Sequence, residues 1–339
     1  MSKRIGDARI VAPVCSLDDA LGSIEAGADE LYCGVMFDDW IERFGEADLI
    51  SRRQGRYSHI SSKDELQGIV NLTMDAGKKI GLTLNVQYCR SQYNLVLDLI
   101  RMWEDMGGHY VIVSDIGILL ELQGMHSGLI KHLSLMAGVF NSMSVAFFRE
   151  FNISRVVLPR DLTVEEMKSI HSASGDMEFE CLVINQKCQF IDSMCGFHHN
   201  LTLSDDMVVD TQYNIVPGCV EPVIYTHDPM YEGHGCKLCY ETKDGKVHHI
   251  YNNDFLYPHC AACLLAELCD AGVSFFKIAG RAYPTDIIVR SIRFIKKACS
   301  ILTSHKHPPP ASVAMDIQQL YSQTFDIPCD NTRCYYLMA

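Results

Sequence analysis

Seven of the fifteen cysteines occupy a stretch that does not resemble a protein core, because it is polar and rich in Gly, Pro and His. Thiolates are preferred ligands of soft metals, so this group predicts a metal or iron–sulfur site. Its members are Cys188, Cys195, Cys219, Cys236, Cys239, Cys260 and Cys263. Core packing, the ordinary role of cysteine, is predicted for six others with apolar neighbours. These are Cys15, Cys33, Cys89, Cys181, Cys269 and Cys299.

Ionisable side chains at the ends of apolar runs form a second group of candidates. Lys277 and Arg281 could clamp an anionic substrate, since a guanidinium grips a carboxylate with two parallel hydrogen bonds. An ion pair with a neighbouring carboxylate is the alternative, and Arg160 has the same two interpretations. Asp115 could act as a general base.

The histidines differ by position. His198 and His199 closely follow Cys195 and could donate hydrogen bonds near a metal, carry protons or be solvated loop residues. His132 and Glu30 each begin an apolar run and are predicted to be structural.

Motifs of established enzyme classes are missing from the chain. A protease needs an activated nucleophile or a zinc-activated water, and the sequence has neither Gly-x-Ser-x-Gly nor His-Glu-x-x-His. Dinucleotide and phosphate-loop motifs are absent as well. The residues alone therefore give a peptidase no support.

Charge and apolar patterning limit the partners. The 29 basic and 42 acidic side chains give a net charge of −13, which weighs against nucleic acid as a partner. The first residues lack the apolar segment of an export signal, and no apolar run reaches the length of a membrane span. We expect a cytoplasmic protein without a membrane partner, in a compartment where disulfides are disfavoured.

Eight short apolar or β-branched runs alternate with helix-length amphipathic stretches. Such runs predict strands buried on both faces, as in parallel sheets. The predicted strands span residues 9–14, 30–35, 80–87, 110–114, 132–137, 155–159, 179–184 and 275–278. Eight strand–helix repeats favour a closed TIM-like (β/α)8 barrel of the α/β class, with a distorted barrel or an open sheet as the alternative.

Helix start signals lie between these strands. Ser16, Ser62 and Thr163 are predicted N-caps, the last in a capping box with Glu166. Residues 260–269 predict the helix that precedes the last strand.

The connection between strands seven and eight, residues 185–274, is far longer than an ordinary βα loop. In a barrel it must rise from the C-terminal face, where active sites are built. We predict one barrel domain over residues 1–304 that includes this cysteine-rich, cluster-binding insertion. Residues 305–339 are predicted to form a tail packed on the barrel.

Several segments, taken in order, resemble the U32 family, whose members are nominally peptidases. Ala-Gly-Val-Ser-Phe-Phe-Lys-Ile-Ala-Gly-Arg, at 271–281, is similar to the family signature near the end of the barrel. The other similar segments are residues 10–13, 25–32, 83–85, 155–160, 162–166 and 180–195. The likeness covers residues 8 to 300, and departures from the family pattern occur at Ala279 and at residues 132–136.

The resemblance implies a [4Fe–4S] cluster on four cysteines. Cys188 and Cys195 match the first two ligands of the family and Cys260 the fourth. Cys219 is the best match to the third, and Cys236-x-x-Cys239 is a competing donor pair.

The remaining cysteines leave a second site open. Cys263, Cys329 and Cys334, together with Cys236 and Cys239, could supply a second cluster or a zinc site. The alternative is a tail whose cysteines simply pack against an apolar patch.

The function that the resemblance implies is that of an iron–sulfur-dependent oxidoreductase. It would perform oxygen-independent hydroxylation, or a related modification, of a small organic or peptide substrate. Two alternatives remain open: a U32-type peptidase or peptide-maturation protein, and a non-catalytic, cluster-bearing subunit that works with a related U32 partner.

Overall fold

Eight parallel strands close into a barrel. The computed structural model describes residues 4–45, 48–53, 58–125, 127–185, 192–194, 239–241, 247–249, 258–305 and 311–336. In chain order the strands of these residues are β1 (Arg9–Pro13), β2 (Glu30–Cys33), β3 (Lys79–Leu84), β4 (Tyr110–Val113), β5 (Ile130–Leu133), β6 (Ile153–Val157), β7 (Glu178–Asn185), β8 (Cys239–Glu241), β9 (Val247–His249), β10 (His259–Cys260) and β11 (Val273–Ile278).

Strand pairing follows chain order around the barrel. Strands β1 to β7 pair in parallel with their neighbours, β7 pairs with β11, and β11 returns to β1 through the register Arg9 to Phe275. These eight strands are parallel and form a closed ring, which confirms the predicted TIM barrel.

Helices cover the outside of the barrel. They are α1 (Leu17–Ala26), α2 (Asp38–Phe44), α3 (Lys63–Asp75), α4 (Tyr93–Asp105), α5 (Ile116–Gly124), α6 (Ser142–Arg149), α7 (Val164–Ser172), α8 (Leu265–Asp270), α9 (Thr285–Thr303) and α10 (Ala311–Phe325). None of the helices in the described ranges is both long and apolar enough to span a bilayer.

The predicted N-caps are confirmed. The side chains of Ser16 and Ser62 accept hydrogen bonds from the backbone N–H groups three residues on, at the starts of α1 and α3. Thr163 and Glu166 form the reciprocal capping box of α7. Each cap satisfies a backbone donor that the first helical turn leaves without a partner.

Two element predictions are wrong. The fifth strand begins at Ile130 and ends at Leu133, and a 3-10 turn spans Leu135–Ala137 where the strand was expected to continue. Cys260 does not begin a helix, because β10 pairs antiparallel with the end of β7 and Ala261 N donates to Val183 O. Helix α8 begins only at Leu265.

The last helix of the described residues packs on the barrel's outer layer. The Phe294 ring of α9 lies 5.8 Å from the Tyr321 ring and 5.3 Å from the Phe325 ring of α10. Beyond α10, Tyr335 and Tyr336 are both buried. The domain division at residue 304 stays a prediction.

Candidate active site

Arg281 is a buried cation at the C-terminal end of the barrel, three residues beyond β11. Its guanidinium donates hydrogen bonds to Thr83 Oγ1 and Ser51 Oγ, both at 2.8 Å. Its carbonyl accepts a hydrogen bond from the Cys15 thiol. Only 4% of the residue is exposed. The charged guanidinium is therefore buried, and the two hydroxyl groups that accept its hydrogen bonds are neutral.

No carboxylate pairs with Arg281 among the residues that the structure describes. Burial, with a smaller contribution from the charge of nearby Arg53, lowers the pKa of Arg281 to about 10; the guanidinium therefore remains charged at neutral pH. An uncompensated buried charge is strongly destabilising, whereas a guanidinium binds carboxylates and phosphates through paired hydrogen bonds. The arrangement fits a receptor for an anionic group.

The two hydroxyl partners of Arg281 are themselves held in place. Thr83 Oγ1 donates to the Cys33 carbonyl at 2.8 Å and therefore presents its lone pairs to the guanidinium. Ser51 Oγ lies 2.9 Å from His59 Nε2. These contacts fix the hydroxyl positions before any ligand arrives.

Gly34 makes room for the guanidinium just beyond the end of β2. A Cβ placed on Gly34 would overlap Arg281 Nη1 and lie 3.0 Å from His59 Cδ2. The absence of a side chain is therefore a steric requirement of the site.

Lys277 belongs to an ion-pair network inside the barrel. Its Nζ lies 2.6 Å from Glu180 Oε1 and 3.9 Å from the centre of the Tyr32 ring. Glu180 also accepts from Arg155 Nη1 at 3.1 Å, and Arg155 pairs with Glu30 at 2.7 Å. Of the two interpretations of Lys277, the structure displays the ion pair.

Arg160, three residues beyond the end of β6, is also held by a carboxylate. Its Nη2 lies 2.5 Å from Asp192 Oδ1 and its Nε lies 2.9 Å from Asp192 Oδ2. Asp192 N in turn donates to Asp161 Oδ2 at 2.9 Å. These bonds fix residues 192–194 at the end of β6.

Asp115 caps α5. Its carboxylate accepts from Ile118 N, Tyr93 Oη and Tyr88 N, each at 2.9 Å. The three donors occupy much of the accepting capacity of the carboxylate. A role for Asp115 as a base stays a prediction.

The cysteine-rich insertion leaves and re-enters the barrel at one place. Asn185 ends β7 with a positive φ of 79°, and His259 of β10 is its antiparallel partner. Asn185 Nδ2 donates to Ala279 O at 2.9 Å, and Ser291 Oγ donates to Asn185 Oδ1 at 3.1 Å. Both roots of the insertion therefore lie at the end of the barrel where the chain leads from β11 to Arg281.

Cys260 is the predicted cluster ligand that the structure describes in full. It is buried opposite Ile184 of β7, at the C-terminal end of the barrel. A thiol at this rim fits a soft-metal donor. Within the described residues, no three Cys, His, Asp and Glu side chains form a group that could hold a metal ion.

The other predicted donors lie elsewhere in the chain. Cys188, Cys195, Cys219 and Cys236, with His198 and His199, lie outside the described residues. Cys239 begins β8, whose backbone pairs with β9 at His249.

Sequence reasoning missed the hydroxyl partners of Arg281. Ser51 and His59 follow no recognisable motif, and they meet Arg281 only through the closure of the barrel. Thr83 left a weak signal, since it is a polar residue within the apolar run of β3. Gly34 likewise follows β2 without a turn motif to mark it.

A closed parallel barrel with a buried cation at its C-terminal mouth defines a TIM-barrel protein with an enzyme-type site. The model of Peptidase family U32 matches residues 16–337. The chain therefore belongs to Peptidase family U32.

Relatives in this family have two kinds of name. The tRNA hydroxylation protein P of Escherichia coli (strain K12) is 24% identical over 186 residues, which are 55% of this chain and 38% of that protein. The Collagenase of Porphyromonas gingivalis is 24% identical over 303 residues, which are 87% of this chain and 66% of that protein. The chain thus spans less than two thirds of either relative.

Among solved structures, the U32 peptidase Mk0906 is similar, with a TM-score of 0.45 at 13% identity. The likeness covers 80% of this chain and 93% of that one.

Proposed function

We propose that this chain is an iron–sulfur-dependent U32 enzyme that modifies an anionic small organic or peptide substrate, by oxygen-independent hydroxylation or a related oxidoreduction. The observation that carries the proposal is the buried Arg281, which has neutral hydrogen-bond partners and lies at the mouth of the barrel. An anionic substrate group would supply the missing opposite charge. Arg281 would bind and orient that group while Thr83 and Ser51 hold the guanidinium.

The roots of the insertion support a cluster next to this cation. Cys260 lies on β10, and Cys188 follows Asn185 by three residues. Three residues of chain span at most about 10 Å. Cys195 follows Asp192 by three residues, and Asp192 is bonded to Arg160 at the end of β6. Asn185 and Asp192, which precede Cys188 and Cys195 in the chain, therefore lie at the same rim as Cys260, which supports a shared cluster.

The proposed ligands are Cys188, Cys195, Cys219 and Cys260, with Cys236 and Cys239 as alternates to Cys219. A cluster with four thiolate ligands supplies electron transfer when bound. The name of the Escherichia coli relative, a tRNA hydroxylation protein, supports a hydroxylase-type reaction. The net charge of −13 favours a substrate smaller than nucleic acid.

The metal content of anaerobically purified protein tests the cluster. We expect iron and acid-labile sulfide together with a brown chromophore. Cys188→Ser and Cys195→Ser should each abolish the chromophore, and Cys299→Ser, in the middle of α9, should retain it. Zinc alone, no metal, or a chromophore that survives both insertion variants would refute the proposal.

Carboxylate binding tests the role of Arg281. Loss of a charged hydrogen bond costs about 1.5–3 kcal/mol, so Arg281→Gln should weaken binding roughly tenfold to a hundredfold. Arg281→Lys keeps the charge and should retain part of the affinity. Small mono- and dicarboxylates, measured by calorimetry, are suitable probes. Equal affinities in the wild-type chain and both variants would exclude Arg281 from the site.

A peptidase is the second candidate, and one contact favours it. Ser51 Oγ lies 2.9 Å from His59 Nε2, a spacing compatible with a nucleophile and its base. The group on the other ring nitrogen is a hydroxyl, Ser58 Oγ at 3.3 Å, where a triad has a carboxylate. The name of the Porphyromonas gingivalis relative, a collagenase, also supports it.

Cleavage of a mixed peptide pool by cluster-free protein separates the two candidates. The hydroxylase proposal predicts no cleavage products by mass spectrometry. Cleavage that disappears in Ser51→Ala and persists in Ser172→Ala, an exposed serine of α7, would establish the peptidase instead.

A further inference from the structure

The C-terminal tail brings a second cysteine next to Cys260. Cys260 and Cys334 are partners in a parallel β-bridge, and Tyr335 N donates to Cys260 O at 3.0 Å. Neighbouring strands lie about 4.8 Å apart, and side chains of directly paired residues stand on the same face. Disulfides join residues whose Cα atoms are about 4.4–6.8 Å apart. The backbone therefore meets the distance requirement of a disulfide.

Neighbouring aromatic residues hold this arrangement in place. Tyr336 Oη donates to Leu182 O on β7 at 2.8 Å, and Tyr321 Oη of α10 donates to Pro258 O at 2.5 Å. Tyr335 has no exposed surface, and its ring meets that of His259 at 6.4 Å in an edge-to-face contact. The pairing of Cys260 and Cys334 is thus built into the packing of the tail.

Two further thiols lie near the pair. Burial raises the pKa of the Cys260 thiol, and Cys263, Cys329 and Cys334 lie close enough to contribute to the increase. Burial also raises the pKa of Cys263 to about 11. Four thiols therefore lie close together where the tail meets β10.

We propose that Cys260 and Cys334 are a reversible disulfide pair that forms by exchange with a small disulfide such as glutathione disulfide. Cys334 is half-buried and Cys260 is buried, so the small disulfide meets Cys334 first. The Cys334 sulfur bonds to one glutathione sulfur and the other glutathione leaves as a thiol. The Cys260 sulfur then displaces the second glutathione. The two cysteines together lose two electrons and two protons, and one glutathione disulfide becomes two thiols.

The bond would tie the tail to β10 at the point where the insertion re-enters the barrel. One consequence rests on the proposed function, namely that Cys260 in a disulfide is no longer available as a cluster ligand. Oxidised protein should then take up iron only after reduction, which would make cluster loading sensitive to the glutathione redox state.

Thiol mapping on cluster-free, full-length protein tests the pair directly. The protein is equilibrated with reduced and oxidised glutathione at increasing ratios, alkylated and digested without reductant. We expect a cross-linked peptide containing Cys260 and Cys334, with the mass of two hydrogens lost. Cys334→Ser should abolish the cross-link and leave Cys260 alkylated, and Cys329→Ser, five residues away on the same tail, should retain it.

Other results would overturn the proposal. The proposal would be wrong if a Cys329–Cys334 or Cys260–Cys263 disulfide dominated. It would also be wrong if no cross-link formed at any ratio of reduced to oxidised glutathione. Circular dichroism of Cys334→Ser establishes that the variant is folded. Because the cross-link is read on cluster-free protein, an absence of iron from every preparation would remove the proposed function and leave the disulfide standing.

Discussion

The hydrogen-bond partners of the Arg281 guanidinium are neutral within the part of the chain that the structure describes. Hydroxyls of Thr83 and Ser51 accept its hydrogen bonds, and Gly34 leaves space for Nη1. A buried arginine that serves structure alone is ordinarily matched by a carboxylate, as Arg155 is matched by Glu30. The contrast between these two arginines supports the proposal that Arg281 binds an external anion.

Replacing Gly34 with alanine should displace Arg281 without unfolding the barrel. The new methyl group would overlap Nη1, and the guanidinium would have to leave the Thr83 and Ser51 hydroxyls. Overpacking of this kind costs about 1–3 kcal/mol. We expect at least tenfold weaker carboxylate binding by calorimetry and a lower melting temperature.

Gly124→Ala is the matched control for this substitution. A Cβ at Gly124, the last residue of α5, meets no atom within 4 Å. The control should bind carboxylates as the wild-type chain does. If Gly34→Ala also binds them normally, the packing of Gly34 against the guanidinium is irrelevant to the site.

Among the elements, β7 has the most demanding position. It pairs with β6 and β11 in the barrel, and its last residues also pair with β10. Asn185 ends the strand with a positive φ, and its amide forms hydrogen bonds with Ala279 O and Ser291 Oγ. The end of this strand therefore positions the root of the insertion.

Two substitutions of Asn185 separate its backbone role from its amide role. Asn185→Gly keeps the backbone freedom and loses two buried hydrogen bonds, at about 0.5–1.5 kcal/mol each. Asn185→Ala loses the same bonds and adds roughly 1–2 kcal/mol of left-handed strain. We therefore expect unfolding free energies, measured in urea, in the order wild type, glycine, alanine.

The cluster provides a second measurement on the same variants. If Asn185 positions the insertion root, both variants should contain less iron than the wild-type chain after anaerobic purification. Equal stability of the glycine and alanine variants would contradict the account of the backbone.

Short sequence signals predict the helices and strands well, but they do not predict which distant segments pair with each other. Helix caps such as Ser16 and Thr163 act within four residues, so their sequence signatures suffice. The polar Lys131 separates Ile130 from the rest of β5, so the apolar pattern predicts a start at residue 132, two residues too late. The local pattern at Cys260 predicts a helix. Its pairing with Ile184 of β7 depends on residues far away in sequence and leaves no local signal.

The same limit applies to the site. The sequence gives no way to distinguish Lys277 from Arg281, since both lie in the segment 271–281 that resembles the family signature. Their roles differ because Glu180 on the adjacent strand reaches Lys277, at 2.6 Å, and no described carboxylate reaches Arg281. Only the closed barrel reveals that difference.

At the scale of the whole molecule, an ion-pair network inside the barrel joins strands that lie far apart in the sequence. Arg155 of β6 pairs with Glu30 of β2 and with Glu180 of β7, and Glu180 pairs with Lys277 of β11. The guanidinium of Arg155 also stacks on Phe275, 3.2 Å from the ring centre. The two positive and two negative side chains of this network are buried. Removal of any one of them therefore leaves an opposite charge uncompensated.

This network should make the barrel sensitive to acid. Burial opposes ionisation of Glu180, but the charges of Lys277 and Arg155 outweigh it and hold the pKa below its usual value of 4.5. A lowered pKa in the folded state means that the stabilisation is complete above about pH 4.5 and is lost as the pH falls through the lower folded value. Urea unfolding at pH 7 and at pH 4 or below should reveal this loss.

Glu180→Gln should remove the acid sensitivity of the network and destabilise the protein at pH 7. Breaking a buried ion pair costs about 3–5 kcal/mol because the partner charge stays buried. Glu180→Gln combined with Lys277→Met should recover part of this loss, since the second change removes the stranded ammonium. Asp98→Asn, which breaks the exposed pair with Arg101, should change the unfolding free energy little. If Glu180→Gln proves as mild as Asp98→Asn, the network does not hold the barrel together, and Lys277 would return as a candidate for binding substrate.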